Sequence, residues 1–172
     1  EFRRVLFRSR PIFSAAWAAS TKIYNAQYSA QNVAEIIGGR VAMNIAPNGK
    51  WENTCAVRMS YILNKSGFPI PYVKDQTVSG ADRQWYFFRV KDLIAYLTKI
   101  WGKPDLRVKF PPPGGGELAG KKGIILFEIA GWSDAGGHAT LWNGNGDCYD
   151  HCYFNEPEAR YTTNYANFWV LR

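Results

Sequence analysis

Three residue types that act together in nucleophilic catalysis occur along this chain in the order Cys55, His138 and Asp150. A cysteine attacks a carbonyl carbon as the thiolate and not as the thiol, and an ordinary cysteine with a pKa near ~8.5 is mostly protonated at neutral pH. A helix N-terminus and a neighbouring imidazolium both lower that pKa, and a carboxylate can orient the imidazole. The set therefore predicts a nucleophile, its base and the group that orients the base.

The surroundings of Cys55 favour a place in the first turn of a helix. Asn53 and Thr54 are residue types that cap helix N-termini, and an apolar-rich run extends from them up to Asn64. We therefore predict a largely buried helix over 55–64, with the thiol near its positive end. We also expect the backbone N–H of Cys55 to be unpaired and available to an oxyanion. The alternative is a small buried cysteine with no chemical role.

His138 begins an alternating segment over 138–143 that is typical of a β-strand. The segment 135–137, Ala-Gly-Gly, precedes it, and its missing side chains would let a substrate chain approach closely. Asp150 comes after a glycine-rich turn, so we place it on the adjoining strand or at its end. His151 is a second candidate for the base, ranked lower because in a tight loop it would face away from Asp150.

The remaining cysteines, Cys148 and Cys152, are separated by four positions and allow two arrangements. With His151 and either His138 or Cys55 they could form four zinc ligands, but structural zinc sites usually bring together two short clusters, and only one exists here. A disulfide between them leaves Cys55 as a separate reactive thiol. It would enclose Asp150, stabilise the chain by about 1–3 kcal/mol and indicate an oxidising compartment.

Hydrophobic periodicity places helices mainly in the first half of the chain and strands in the second. Because helices come first and an antiparallel sheet comes after them, we predict an α+β fold of N-terminal helices packed on that sheet. The proline and glycine run over 111–116 is predicted to be an irregular loop. The predicted helices cover 12–24, 32–37, 55–64 and 90–101, and the predicted strands cover 84–88, 123–129, 138–143 and 168–171.

Composition indicates one soluble globular domain. The chain has 172 residues, of which 47% are hydrophobic and 20% charged, with no apolar run long enough to span a bilayer. The net charge is +7, but the basic residues are scattered, which argues against a dedicated nucleic-acid surface. Residues 1–9 have no turn or cap pattern that leads into the first predicted helix. We therefore expect a foreign leader there, with an amphipathic targeting arm as the alternative, and a single catalytic domain over 10–172, without a signal peptide.

Several segments together resemble type VI secretion amidase effectors of the fourth family. The two most specific blocks are Cys-x-x-Arg-Met-Ser and Gly-Gly-His-x-Thr-Leu-Trp, and the likeness runs from Arg10 to Arg172. The segments that carry it are Arg10-Pro11-Ile12-Phe13 with Trp17, Ile36-Ile37-Gly38-Gly39, Thr54-Cys55-Ala56-Val57-Arg58-Met59-Ser60-Tyr61, Gly136-Gly137-His138-Ala139-Thr140-Leu141-Trp142 and Cys148-Tyr149-Asp150-His151-Cys152.

This resemblance implies a papain-like fold of the NlpC type. From the spacing of the cysteines and histidines we expect no metal, and we expect no cofactor. The resemblance also implies a cysteine endopeptidase that a type VI secretion machine delivers to the periplasm of rival Gram-negative bacteria. There it would hydrolyse the amide between the γ-carboxyl of D-glutamate and meso-diaminopimelate in peptidoglycan stem peptides. The family's catalytic residues map onto Cys55, His138 and Asp150, and its disulfide onto Cys148 and Cys152. A cognate immunity protein that fills the groove is the implied partner.

Three other functions stay open from the sequence. A thiol acyltransferase could use the same scaffold and the same nucleophile. A non-enzymatic module that binds cell wall would suit the aromatic residues, 16% of the chain, and the basic charge. A nucleic-acid binder is the weakest of the three and would show steep salt dependence.

Overall fold

A computed structural model describes residues 9–132 and 136–172 of the chain. Most of the predicted leader, residues 1–8, lies outside the described residues, as does Ala135 of the predicted glycine segment. The helices are α1 (Phe13–Ile23), α2 (Ser29–Ile37), α3 (Gly39–Asn44), α4 (Cys55–Lys65) and α5 (Val90–Trp101). The strands are β1 (Thr77–Ser79), β2 (Trp85–Phe87), β3 (Leu106–Lys109), β4 (Gly123–Ala130), β5 (Gly137–Trp142) and β6 (Thr162–Val170).

The larger sheet is antiparallel, with the strand order β3-β6-β4-β5, and β1 pairs separately with β2. Side chains of β4 enter two different cores as they alternate. Ile124 and Leu126 belong to the core shared with the helices, whereas Ile125 and Phe127 belong to a core that includes Phe154. Both faces of β4 are therefore covered, which explains why its sequence is almost continuously apolar.

Helix α4 is the buried helix of the fold, and residues 55–64 are all buried. It packs against α1, the hairpin strand β2 and strand β5. Because apolar partners cover it on several sides, its sequence carries hydrophobic residues almost all round rather than along one stripe. This packing fixes the first turn of α4, which carries Cys55, against the strand that carries His138.

Truncation of a side chain in the middle of α4 is expected to cost much of the stability of the domain. Ile62 is fully buried in the helical core, so Ile62→Ala should lower the free energy of unfolding by about 2–5 kcal/mol. Met43→Ala is the matched control, because Met43 is 70% exposed and its loss should change stability by no more than about 0.5 kcal/mol. Urea denaturation measures both variants, and equal losses would contradict the described packing.

The mixed α/β plan with an antiparallel sheet is confirmed, and most predicted elements have the expected type. Helix α3 and the short strands β1 and β3 were not predicted. Gly38, with φ of 63°, ends α2 as predicted, but a new helix begins at once with Gly39. The loop prediction for 111–116 was wrong in part, because Pro113–Leu118 forms a 3-10 turn whose three glycines take positive φ values.

Candidate active site

The Cys55 thiol lies at the N-terminus of α4 and is almost fully buried, with 2% exposure. A backbone acceptor, the carbonyl oxygen of Gly137, lies 4.0 Å from Sγ. The hydrogen-bonding side-chain partner of the thiol is His138 on β5. The structure therefore brings the predicted nucleophile and the predicted base into contact. The two are far apart in the chain, since Gly137, the residue before that base, is 82 positions from Cys55.

The expectation that the Cys55 N–H is unpaired was wrong. This N–H donates to Asn53 Oδ1 at 3.0 Å, so the helix cap comes from Asn53. Thr54 occupies the N-cap position itself but makes no side-chain cap bond, because its hydroxyl oxygen accepts a bond from Arg58. An asparagine two residues before the helix start forms this local turn readily. The predicted oxyanion donor is thus already occupied.

Asp150 lies beside the His138 ring, with Oδ2 3.0 Å from Nε2. This contact is an ion pair, in which the ring N–H is not aligned well enough for a straight hydrogen bond. Because Nε2 faces Asp150, we infer that Nδ1 is the nitrogen that faces the thiol. His138 and Thr140 are two positions apart on β5 and so share one face, and the Thr140 hydroxyl donates to Asp150 Oδ1 at 2.6 Å.

His151 has no comparable position. Its side chain is exposed, and its ring packs against Tyr153, with 4.4 Å between the ring centroids. Only its backbone N–H reaches the site, where it donates to Asp150 Oδ1 at 2.6 Å. This agrees with its lower rank as a candidate base.

The charges of these groups favour a thiolate and an imidazolium at rest. Burial raises the pKa of the Cys55 thiol, but the hydrogen bond and charge of His138, helped by Arg58, outweigh burial and lower it. Burial lowers the pKa of His138, but its interactions with Asp150 and Cys55 outweigh burial and raise it to about 9. Burial also raises the pKa of Asp150, yet His138, Arg58 and Thr140 together lower it to about 2.

Arg58 and Tyr149 are site residues to which the sequence alone gave no role. The guanidinium of Arg58 donates to Asp150 Oδ2 at 2.9 Å and to the Tyr149 hydroxyl at 3.1 Å. Both residues occur within the motifs that carry the family resemblance. The sequence did contain a signal for Arg58. An arginine in a predicted buried helix, whose other residues are mostly apolar, requires a buried partner.

The site opens into a cleft of about 940 Å³ between the start of α4, the start of α5 and the end of β4. Cys55 lines this cleft, although the residue itself is only 2% exposed. The stacked rings of Trp51 and Phe88, with centroids 4.8 Å apart, form part of its wall. Charged groups of both signs also line it, namely Lys50, Glu52, Arg89, Lys91 and Glu128.

The two described glycines before His138 have different reasons for lacking a side chain. Gly136 lines the cleft, and a Cβ placed there would meet nothing within 4 Å. A Cβ at Gly137 would lie 2.1 Å from the carbonyl oxygen of Phe127, so the sheet pairing itself requires glycine there. Of these two glycines, Gly136 is therefore the one with open space beside its backbone.

The predicted disulfide is present, since Cys148 and Cys152 are bonded with Sγ atoms 2.05 Å apart. We call residues 148–152 the bridge loop. Asp150 lies inside it, and the backbone N–H of Tyr149 anchors the loop to the Leu141 carbonyl of β5 at 3.2 Å. The bond removes both thiols from the zinc alternative. Among the described residues, no three His, Cys, Asp or Glu side chains are arranged to hold a metal ion.

Opening the bridge loop is expected to weaken the fold. Cys148→Ser combined with Cys152→Ser should lower the free energy of unfolding by about 1–3 kcal/mol, because a five-residue ring removes only modest entropy from the unfolded chain. The contacts of the loop with Arg58 and His138 should persist, so the variant should fold. Urea denaturation under non-reducing conditions measures the loss, and an unchanged midpoint would contradict a stabilising role for the bridge.

No helix in the described parts of the chain combines the length and apolar character that crossing a bilayer requires. Comparison with curated proteins finds no match. Residues 51–169 match the family model described as type VI secretion system (T6SS), amidase effector protein 4, or Tae4. That stretch contains Cys55, Arg58, His138, Tyr149 and Asp150, whereas Lys50 of the cleft wall lies just before it.

Solved structures of effectors with the same name are similar over almost the whole chain. Tae4 from Salmonella typhimurium, crystallised with the immunity protein Tai4 from Enterobacter cloacae, is 42% identical with a TM-score of 0.82, and the match covers 95% of this chain and all of that one. Tae4 from Enterobacter cloacae, in its complex with Tai4, is 41% identical with a TM-score of 0.82 over the same shares of both chains. Because the family model covers more than half of the sequence, this chain belongs to the Tae4 family of type VI secretion amidase effectors.

Proposed function

We propose that this protein is a cysteine amidase of papain-like, NlpC-type architecture that cleaves peptidoglycan stem peptides. The bond is the amide between the γ-carboxyl of D-glutamate and meso-diaminopimelate, and the catalytic domain comprises residues 10–172. The observation that carries the proposal is the contact between Cys55 and His138, with Asp150 behind the ring, at the wall of a large cleft. Membership of an amidase effector family supports it.

In the proposed reaction the Cys55 thiolate attacks the amide carbonyl carbon and forms a tetrahedral intermediate. The His138 imidazolium gives its proton to the nitrogen of the leaving amine, and a thioester remains on Cys55. His138, now neutral, then takes a proton from water, which hydrolyses the thioester and releases the carboxylate. Asp150 keeps the ring oriented throughout. We assign no oxyanion role to the Cys55 N–H, because Asn53 occupies it.

The cleft suits a substrate of this class. Stem peptides of this kind carry free carboxylates and a free amine, and the cleft presents lysine and arginine side chains together with two glutamates. Gly136 leaves open space beside the nucleophile for the peptide backbone. The net charge of +7 would further attract the protein to an anionic cell wall.

The proposal includes delivery and self-protection. A type VI secretion machine would carry the protein into the periplasm of target Gram-negative cells, where oxidising conditions preserve the Cys148–Cys152 bond. The related effectors were crystallised with Tai4 immunity proteins. We therefore propose that a cognate immunity protein binds this chain and blocks the cleft, which protects the producing cell.

Mass spectrometry of digested Gram-negative sacculi tests the proposed bond. The expected products are muropeptides that end in D-glutamate, together with peptides that begin with a free diaminopimelate amine. Two free ends indicate hydrolysis, whereas a new amide would indicate the alternative acyltransferase. Cleavage at another bond would refute the substrate assignment. Wall binding without any iodoacetamide-sensitive cleavage would instead favour the non-enzymatic module.

A further inference from the structure

The candidate site contains a fourth buried charge, the guanidinium of Arg58, one helical turn after the nucleophile. Its side chain is 7% exposed. Its three nitrogens each donate a hydrogen bond to a side chain: Nη2 to Asp150 Oδ2 at 2.9 Å, Nε to the Tyr149 hydroxyl at 3.1 Å and Nη1 to Thr54 Oγ1 at 2.9 Å. A buried arginine bonded through all three nitrogens is held in one orientation.

Arg58 joins two distant segments at the point where the chemistry takes place. It lies on α4 with Cys55, whereas Asp150 and Tyr149 lie on the bridge loop, about 90 residues later in the chain. The same oxygen, Asp150 Oδ2, faces both Arg58 Nη2 and His138 Nε2. The guanidinium therefore fixes the position of the carboxylate that in turn orients the imidazole.

Arg58 also completes a balance of charge inside the protein. The thiolate of Cys55 and the carboxylate of Asp150 supply two negative charges, and the imidazolium of His138 and the guanidinium of Arg58 supply two positive ones. Without the guanidinium this buried set keeps one uncompensated negative charge. In a medium of low dielectric that imbalance disfavours the thiolate more than it would in water.

The other ionisable groups that interact with the thiol are phenols. Tyr149 is buried and Tyr153 is half-buried, and burial raises the pKa of each above its ordinary value. Both phenols therefore stay neutral near physiological pH. Consequently Arg58 and His138 are the two cations that act on Cys55 within the described part of the chain.

We propose that Arg58 is a positioning residue of this site, whose guanidinium holds Asp150 against His138 and supplies the positive charge that keeps the buried set neutral. The inference rests on the proposed function only for its effect on cleavage. Its effect on the thiol concerns the folded protein alone and needs no substrate. The two can therefore be tested separately.

The test is the pH dependence of Cys55 alkylation by iodoacetamide, measured by intact mass. In Arg58→Met the midpoint of the alkylation profile should rise by about one pH unit or more, so the alkylation rate below the midpoint falls about tenfold. Arg58→Lys keeps the charge but cannot bond Tyr149, Thr54 and Asp150 at once. Its alkylation midpoint should stay near that of the wild type while its rate of peptidoglycan cleavage falls.

Arg10→Gln is the matched control, because Arg10 also pairs with a carboxylate far along the chain, Asp105, but at the surface. Its alkylation midpoint should not move. A folded Arg58→Met with the wild-type midpoint would overturn the proposal, and so would an Arg58→Lys variant whose midpoint rises as far as that of Arg58→Met.

If Arg58→Met does not fold, Arg58→Lys decides alone. A wild-type midpoint with reduced cleavage supports the positioning role, and full cleavage activity overturns it. Failure of the wild-type protein to cleave sacculi would refute the proposed function but would leave the alkylation profiles interpretable. The two failures are thus distinguishable.

Discussion

Cys55→Ala is expected to lose peptidoglycan cleavage by a factor of about 10⁴ or more, because no other described group can form the thioester. The bridged cysteines cannot replace it, since Cys148 and Cys152 are bonded to each other. The fold should survive, because alanine fits the space of the cysteine and His138 can become neutral when the thiolate is lost. Release of soluble muropeptides from sacculi, monitored over time, measures the loss.

Asp150→Asn provides the graded comparison. This variant retains the shape of the side chain but removes the carboxylate that raises the pKa of His138, so cleavage should fall. Because the nucleophile and the imidazole both remain, the loss should be smaller than in Cys55→Ala. Circular dichroism and thermal denaturation establish that both variants are folded. Undiminished cleavage by a folded Cys55→Ala protein would remove Cys55 from the mechanism.

His138→Gln should lower the rate of cleavage by a factor of about 10³ or more, because the thiolate loses its counter-charge and the leaving amine loses its proton donor. The matched control is His151→Gln. His151 is exposed, and its contribution to the site, a backbone N–H bond to Asp150, does not depend on its ring. Cleavage by that variant should therefore remain within about twofold of the wild type. Equal losses in the two variants would contradict the assignment of the base.

The pKa of His138 sets the expected alkaline limit of activity. Because interactions with Asp150 and Cys55 raise the pKa of His138 to about 9, the imidazolium that we propose as the proton donor to the leaving amine is present below that pH and lost above it. The value of kcat/KM should therefore fall as the pH rises through about 9. On the acid side kcat/KM should fall as the pH drops through the pKa of Cys55. Despite burial, His138 holds that pKa below the ordinary cysteine value.

Long periodic elements and the order of chemically active residues were readable from the sequence. The apolar repeat of α5 predicted its bounds at Val90 and Trp101, and the capping residues before Cys55 predicted the start of α4. Both are local signals, in which spacing along the chain equals spacing in space. The bond between Cys148 and Cys152 was also predictable, because four positions keep two cysteines within bonding distance.

Contacts that depend on tertiary packing were not readable. Strand β3 has only four residues and pairs with β6, so its sequence carries too little alternation to reveal it. The N–H of Cys55 was expected to be free because an ordinary helix start leaves it so, and one side chain, Asn53, reversed that outcome. Arg58 lacked an assigned role because its partners lie on the bridge loop, which only folding brings to α4.

The central claim, that Cys55 is a nucleophile held as a thiolate, is tested most directly by brief treatment with iodoacetamide at pH 6. Intact mass is read together with the remaining cleavage activity. An ordinary thiol is only about 0.3% thiolate at that pH. We expect a single adduct on Cys55, formed far faster than on a free cysteine, with cleavage lost in proportion to the adduct. An unmodified Cys55 at pH 6, or a fully alkylated protein that still cleaves sacculi, would contradict this claim.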